Sequence, residues 1–323
     1  MEPVKRSMPP VIIRSRLVLE LASELVGNEE FPFRRVHLQL KKQDYDSEGF
    51  SLFGSGSSDA IERVAQGEFQ VAMINPSAAL TMAYRGTGPF PEPIPLRVIT
   101  IIPDFDQVGF GVAESTGLGS LAEIRERRFP LRVSTRGPRE GAVPMVVNEV
   151  LRAAGFSLDD IDAWGGEVRY DRNTPAAPER IGAFESGEID AIFDEAVVQF
   201  ASRGTELGMR FLPVEEPLLR KLESVGLRRG TIEKSLYPPL PADVETVDFS
   251  GFPVFTHADV PGGQIRAVCA ALEARKDRIP WETWGEKMGP LPLERMCRDT
   301  VHGPMDVPLH PAAEEYWRGL GYL

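Results

Sequence analysis

Small hydroxyl residues gather at one point in this chain. Ser55, Gly56, Ser57 and Ser58 sit directly ahead of Ile61, Val64 and Ala65, whose 3, 4 spacing predicts a short helix ending at Gly67. Hydroxyls and backbone N–H groups at a helix start are donors suited to an anion. Capping needs only Ser58 or Asp59, with Glu62 three residues after Asp59 as in a capping box, so the remaining donors are free to meet a ligand. A second polar exit follows at Asn75-Pro76-Ser77. There Asn75 and Ser77 either touch a solute or close an Asx-type turn that orders Pro76.

A third polar stretch runs from Thr135 through Arg136, Gly137, Pro138, Arg139 and Glu140 to Gly141. It joins the strand expected at Leu131–Thr135 to a helix, and Arg136 and Arg139 can clamp an acid group with bidentate geometry or stand solvated. Asp194 and Glu195 close an apolar run. They either accept from a ligand hydroxyl or amine, or pair with those arginines. His37, His257, His302 and His310 share no motif spacing, and Cys269 and Cys297 have no metal-ligand neighbours in sequence. Gly-x-Ser-x-Gly, P-loop and His-Glu-x-x-His patterns are missing, so no catalytic residue, metal ligand or cofactor is assigned.

The elements that must hold these residues follow an alternation of strand and helix. Phe69 to Ile74 reads as a buried strand leaving at Asn75, and Leu96 to Ile102 as a strong one. Val143, Val146, Val147, Val150, Leu151 and Ala154 mark the clearest helix, stopped by Gly155. The run Gly67-Glu-Phe-Gln is echoed by Gly187-Glu-Ile-Asp, each between a helix and a buried strand. Two similar α/β halves facing across a cleft are the simplest architecture that uses one unit twice. Strand ends in such sheets are where ligands bind.

The expected fold is therefore α/β in two domains, each a mainly parallel sheet flanked by helices. Residues 1–107 with 214–323 form the first, 108–213 the second, with crossings near Pro103–Asp106 and Met209–Pro213. The 323 residues suffice for two cores. A net charge of −12 disfavours nucleic acid and anionic membrane as partners. No stretch approaches the length of a membrane span, and no apolar secretory segment is present as written. The expectation is a cytoplasmic protein, or a periplasmic one if a leader was removed.

The ordered set Gly-Glu-Phe-Gln-Val-Ala-Met-Ile-Asn75, Leu96-Arg-Val-Ile-Thr-Ile-Ile-Pro103, Gly117-Leu-Gly-Ser-Leu-Ala-Glu-Ile124, Val150-Leu-Arg-Ala-Ala-Gly-Phe156, Gly187-Glu-Ile-Asp-Ala-Ile-Phe193 and Pro308-Leu-His-Pro-Ala-Ala-Glu-Glu-Tyr-Trp-Arg-Gly-Leu-Gly321 resembles the TAXI-type solute receptors of TRAP transporters. These group with thiamine-precursor-synthase-like proteins in the type II periplasmic binding protein fold. The resemblance covers roughly residues 50–323. It implies two hinge crossings, closure on a small organic anion, and a membrane permease as partner if the protein is exported. The arginines at 136 and 139 depart from the family's Gly/Ser/Thr-rich loop and point to a more strongly anionic ligand. The alternative is an enzyme on the same fold, such as a cofactor-independent aromatic-acid decarboxylase or a pyrimidine-precursor synthase relative.

Overall fold

The computed structural model describes residues 17–19, 21–23, 25, 36–40, 50–54, 59–278 and 291–323. Twelve strands among them form two five-stranded sheets and one hairpin. The first sheet has the order β1 (Val36–Leu40), β2 (Phe50–Gly54), β3 (Val71–Met73), β12 (Phe252–His257), β4 (Leu96–Ile102). Here β2, β3 and β4 run one way while β1 and β12 run against them. The second has the order β7 (Glu167–Asp171), β6 (Arg132–Arg136), β8 (Ala191–Asp194), β5 (Gly109–Ala113), β9 (Met209–Phe211), with only β5 reversed. Each sheet is thus mixed rather than mainly parallel, with one parallel pairing among four in the first and two among four in the second, because β12 and β5 thread in reversed beside the echoed strands. Met209–Phe211, expected to begin the return crossing, is instead the edge strand of the second sheet, because its backbone pairs with Gly111–Ala113.

The echoed motifs occupy equivalent places. Gly67 (φ +76°) ends α1 (Asp59–Ala65) and Gly187 (φ +71°) follows α6 (Pro178–Glu185), both in the left-handed region where a side chain is strained. In each copy the two following N–H groups return to one carbonyl in the preceding helix: Glu68 and Phe69 to Arg63, Glu188 and Ile189 to Ala183. Strands β3 and β8 then lie beside β2 and β6 respectively.

Beyond β3 comes α2 (Ser77–Arg85), and beyond β6 comes α4 (Ala142–Ala154). Between them, α3 (Leu121–Glu126) starts with Ser120 Oγ accepting from the Glu123 N–H at 3.2 Å, the cap expected there. In α4, Val143, Val146, Val147, Val150 and Leu151 are all buried, and Gly155 terminates it in the left-handed region. The helices α5 (Leu158–Ala163), α7 (Val197–Glu206) and α8 (Glu216–Val225) complete the middle of the chain, and α9 (Gly262–Arg275), α10 (Leu293–Met296) and α11 (Pro311–Gly319) its end. A hairpin of β10 (Arg229–Ile232) and β11 (Val244–Val247) lies beside the crossings between the sheets. Trp317 is fully buried and donates from Nε1 to the Ile99 carbonyl, a core role. Trp281 and Trp284 lie outside the described residues.

Candidate functional site

The carboxyl ends of both sheets and the segments passing between them converge on one buried polar node. Asp106, in the first crossing, accepts from the N–H groups of Ala196 and Gln107, each at 2.8 Å. Its own N–H donates to Ser250 Oγ at 3.0 Å, while Ser250 Oγ stands 2.5 Å from Asp248 Oδ1. Ala196 is held at φ +56°, an uncommon conformation for a residue with a side chain, directly after β8. The node is acidic. Burial pushes Asp104 up to about 6 and Asp248 up to about 7, and it raises Asp106 as well.

On the second sheet, Asp194 is fully buried between two arginines. Arg180 Nη1 stands 2.6 Å from Oδ2, and Arg136 Nε 3.6 Å from Oδ1. Neither carboxylate oxygen has an aligned hydrogen bond, so charge rather than geometry holds it, and burial outweighs both guanidinium groups to raise Asp194 to about 6. Arg180 also donates to Ser134 Oγ at 2.8 Å and to the Asn173 carbonyl at 2.9 Å. Arg136 pairs with Glu195 as well. Asp194 and Glu195 thus both face Arg136.

The other candidates separate. Ser55, Gly56, Ser57 and Ser58 lie outside the described residues. Asn75 donates from Nδ2 to the carbonyls of Phe249 and Gly251 at 3.3 and 3.1 Å, so its side chain ties the end of β3 to the later crossing. Ser77 donates its N–H to the Ser250 carbonyl, yet its Oγ is buried with no hydrogen-bond partner. Thr135 is fully buried, and its Oγ1 also lacks one. Arg139 leaves Arg136 and pairs with Asp159 at 2.6 Å on the surface, where Glu140 is also exposed. The loop's opening at Gly137, with φ +96°, sends the two arginines to different environments.

Where the helices from the two sheets meet, the contact is apolar. Ala78 and Met82 of α2 share one cluster with Ala142, Val143, Val146 and Val147 of α4, and Phe90 and Met145 pack against both this cluster and the core of the first sheet. Neither helix has a side-chain cap. Their first-turn N–H groups therefore rely on other acceptors.

Sequence reasoning did not single out Arg180, Asp104, Asp106, Asp248 or Ser250. Arg180 follows Pro178-Glu179 in a polar helix, which reads as a solvated face. The aspartates lie in segments classed as connections. A buried carboxylate in a crossing is recognisable only once the other crossing is placed beside it.

The profile of the NMT1-like family matches residues 48–321. A search of curated proteins gives no match. Among solved structures, the alkanesulfonate-binding protein SsuA from Xanthomonas axonopodis pv. citri bound to MOPS is 11% identical, covering 68% of this chain and 80% of that one, with a TM-score of 0.30. The glycine/betaine/L-proline-binding protein ProX from Borrelia burgdorferi is 10% identical over 66% of each chain, with a TM-score of 0.37. A TctC solute binding protein from Polaromonas is 15% identical, covering 68% of this chain and 70% of that one, with a TM-score of 0.33. Among the described residues no helix is long and apolar enough to cross a membrane. With the family profile spanning every strand but β1 and the segments that join the sheets, the chain belongs to the NMT1-like family.

Proposed function

We propose that this protein is a solute-binding protein that closes by hinge motion on a small organic anion, a carboxylate in the first instance, between its two sheets. In this reading residues 1–107 with 214–323 form one lobe and 108–213 the other, with the Asp106 node as the hinge. The observation that carries it is that residues of α2 and α4, from different sheets, belong to one apolar cluster, with a buried unpartnered hydroxyl at Ser77 and another at Thr135 in β6, the strand that leads to α4. A positive helix end with an unsatisfied hydroxyl at the same sheet favours an acid group on each side. Arg136 is already neutralised by Asp194 and Glu195, so it serves the ligand only by exchanging partners.

The finer assignment, a TAXI-type receptor of a TRAP transporter delivering its solute to a membrane permease from the periplasm, rests on the ordered sequence motifs. Titration calorimetry with a panel of carboxylates tests the site. Ser77→Ala and Thr135→Val are expected to weaken binding by about ten- to a hundredfold each, as loss of a hydrogen bond to a charged group does, ~1.5–3 kcal/mol. Unchanged affinity in both variants places the ligand elsewhere.

A further inference from the structure

A cavity of about 290 Å³ lies away from the α2 and α4 starts, at the opposite end of α2. Its wall holds Arg85, Arg228 and Arg229 against Glu223 and Asp306, with Gly226 and Leu227 between them. Gly226 closes α8 at φ +116°, and a Cβ there would meet Thr81 Cγ2 at 3.0 Å. Close approach of α8 to α2 is what brings Arg85 and Glu223 to one space.

The three arginines are not equally committed. Arg228 is held by Asp306 at 2.8 Å and by Asp299 at 2.9 Å, and Arg229 by Glu216 at 2.5 Å and Glu223 at 2.7 Å. Arg85 donates one hydrogen bond, to the Glu223 carbonyl at 3.3 Å, and its nearest carboxylate oxygen, on Asp306, is 4.0 Å away. Its side chain is 39% exposed. Arg85, with one N–H donated and its nearest carboxylate oxygen 4.0 Å away, is the least committed of the three guanidinium groups and is suited to capture of an oxyanion.

This cavity also touches the hinge. The Arg228 carbonyl accepts the Asp248 N–H at 2.9 Å, and Asp248 bridges to Gln107 in the other crossing. Arg85 belongs to the helix that follows β3 of the first sheet. A ligand joining Arg85 to the Leu227–Arg229 segment therefore fastens that helix to the chain that positions both crossings.

We propose that the Arg85 cavity is a second site, for a small oxyanion such as phosphate, sulfate or a carboxylate, whose occupation stiffens the hinge. The test is titration calorimetry of the full chain with inorganic phosphate, sulfate and citrate, each against sodium chloride at matched ionic strength. At least one of the three is expected to bind. Arg85→Ala is expected to weaken it tenfold or more, Arg85→Lys to restore it only in part, and Arg139→Leu, at an exposed pair outside the cavity, to leave it unchanged. Amide hydrogen exchange at residues 227–229 and 247–248 is expected to slow on binding. No binding beyond the chloride control, or binding that survives Arg85→Ala, overturns the site. Loss in Thr135→Val with retention in Arg85→Ala overturns it too, while leaving the interlobe reading standing. Binding without slower exchange overturns the link to the hinge.

Discussion

Gln70 and Asp190 perform the same task in the two sheets. Gln70 Oε1 accepts the Ser51 N–H at 2.7 Å, and Asp190 Oδ2 accepts the Arg132 N–H at 3.0 Å, each fastening an echoed strand to its parallel neighbour. Asp190 adds a two-point contact with the Arg132 guanidinium, at 2.8 and 2.5 Å. Asp190→Ala is expected to cost about 1–3 kcal/mol, the range for stranding a donor whose acceptor was charged. Gln70→Ala is expected to cost less, since its acceptor is neutral. Urea unfolding of the two variants checks the order.

Arg180→Leu removes one of the two cations beside buried Asp194 and the donor to Ser134 Oγ, which keeps its own hydrogen bond to Asp171. Breaking a buried pair from one side is expected to destabilise by about 3–5 kcal/mol. Arg139→Leu, at an exposed pair with Asp159, is expected to change stability by less than about 1 kcal/mol. Thermal unfolding of the two variants separates the buried arginine from the surface one.

Stability should depend on pH through the acidic node. Asp104, Asp194 and Asp248 have pKa values raised from 3.8 to about 6, 6 and 7, mainly by burial. The native state therefore keeps protons that the unfolded chain releases. Their contribution is fullest below pH ~4 and is lost as pH rises through 6 to 7. Asp248→Asn is expected to flatten the fall in urea midpoint between pH 5.5 and 8. His310 works in the opposite sense. Burial lowers its pKa below 6.5, and its Nδ1 accepts the Ala312 N–H at the start of α11, so its contribution holds above pH ~6.5 and is lost as pH falls. His310→Asn is expected to remove that acid-side loss.

Much of the scaffold was legible because it is written in local signals. The apolar spacing from Val143 to Leu151 specified α4, the glycines at 67, 155 and 187 marked real stops, and the repeated Gly-Glu unit foretold two equivalent strands. The β10 and β11 hairpin was not foreseen, since Arg229–Ile232 and Val244–Val247 are short and separated by a turn-rich stretch. The candidate site was legible in part. Strand-end positions such as Ser77, Thr135 and Asp194 follow from periodicity, but whether a side chain is spent on its own backbone does not. Asn75 is spent on Phe249 and Gly251, 174 and 176 residues away, and Asp106 on Ala196, 90 residues away. Such pairings depend on which crossings lie side by side.

The most direct test of solute binding is the melting temperature of the protein across a panel of small carboxylic, sulfonic and phosphoric acids, with amines and neutral sugars as controls. At least one acid is expected to raise it by mass action, with stabilisation near 2.7 kcal/mol at a hundredfold excess over Kd. That shift is expected to disappear in the combined Ser77→Ala and Thr135→Val variant. A flat response to every acid, or a shift that the combined variant retains in full, contradicts closure on an organic anion between the two sheets.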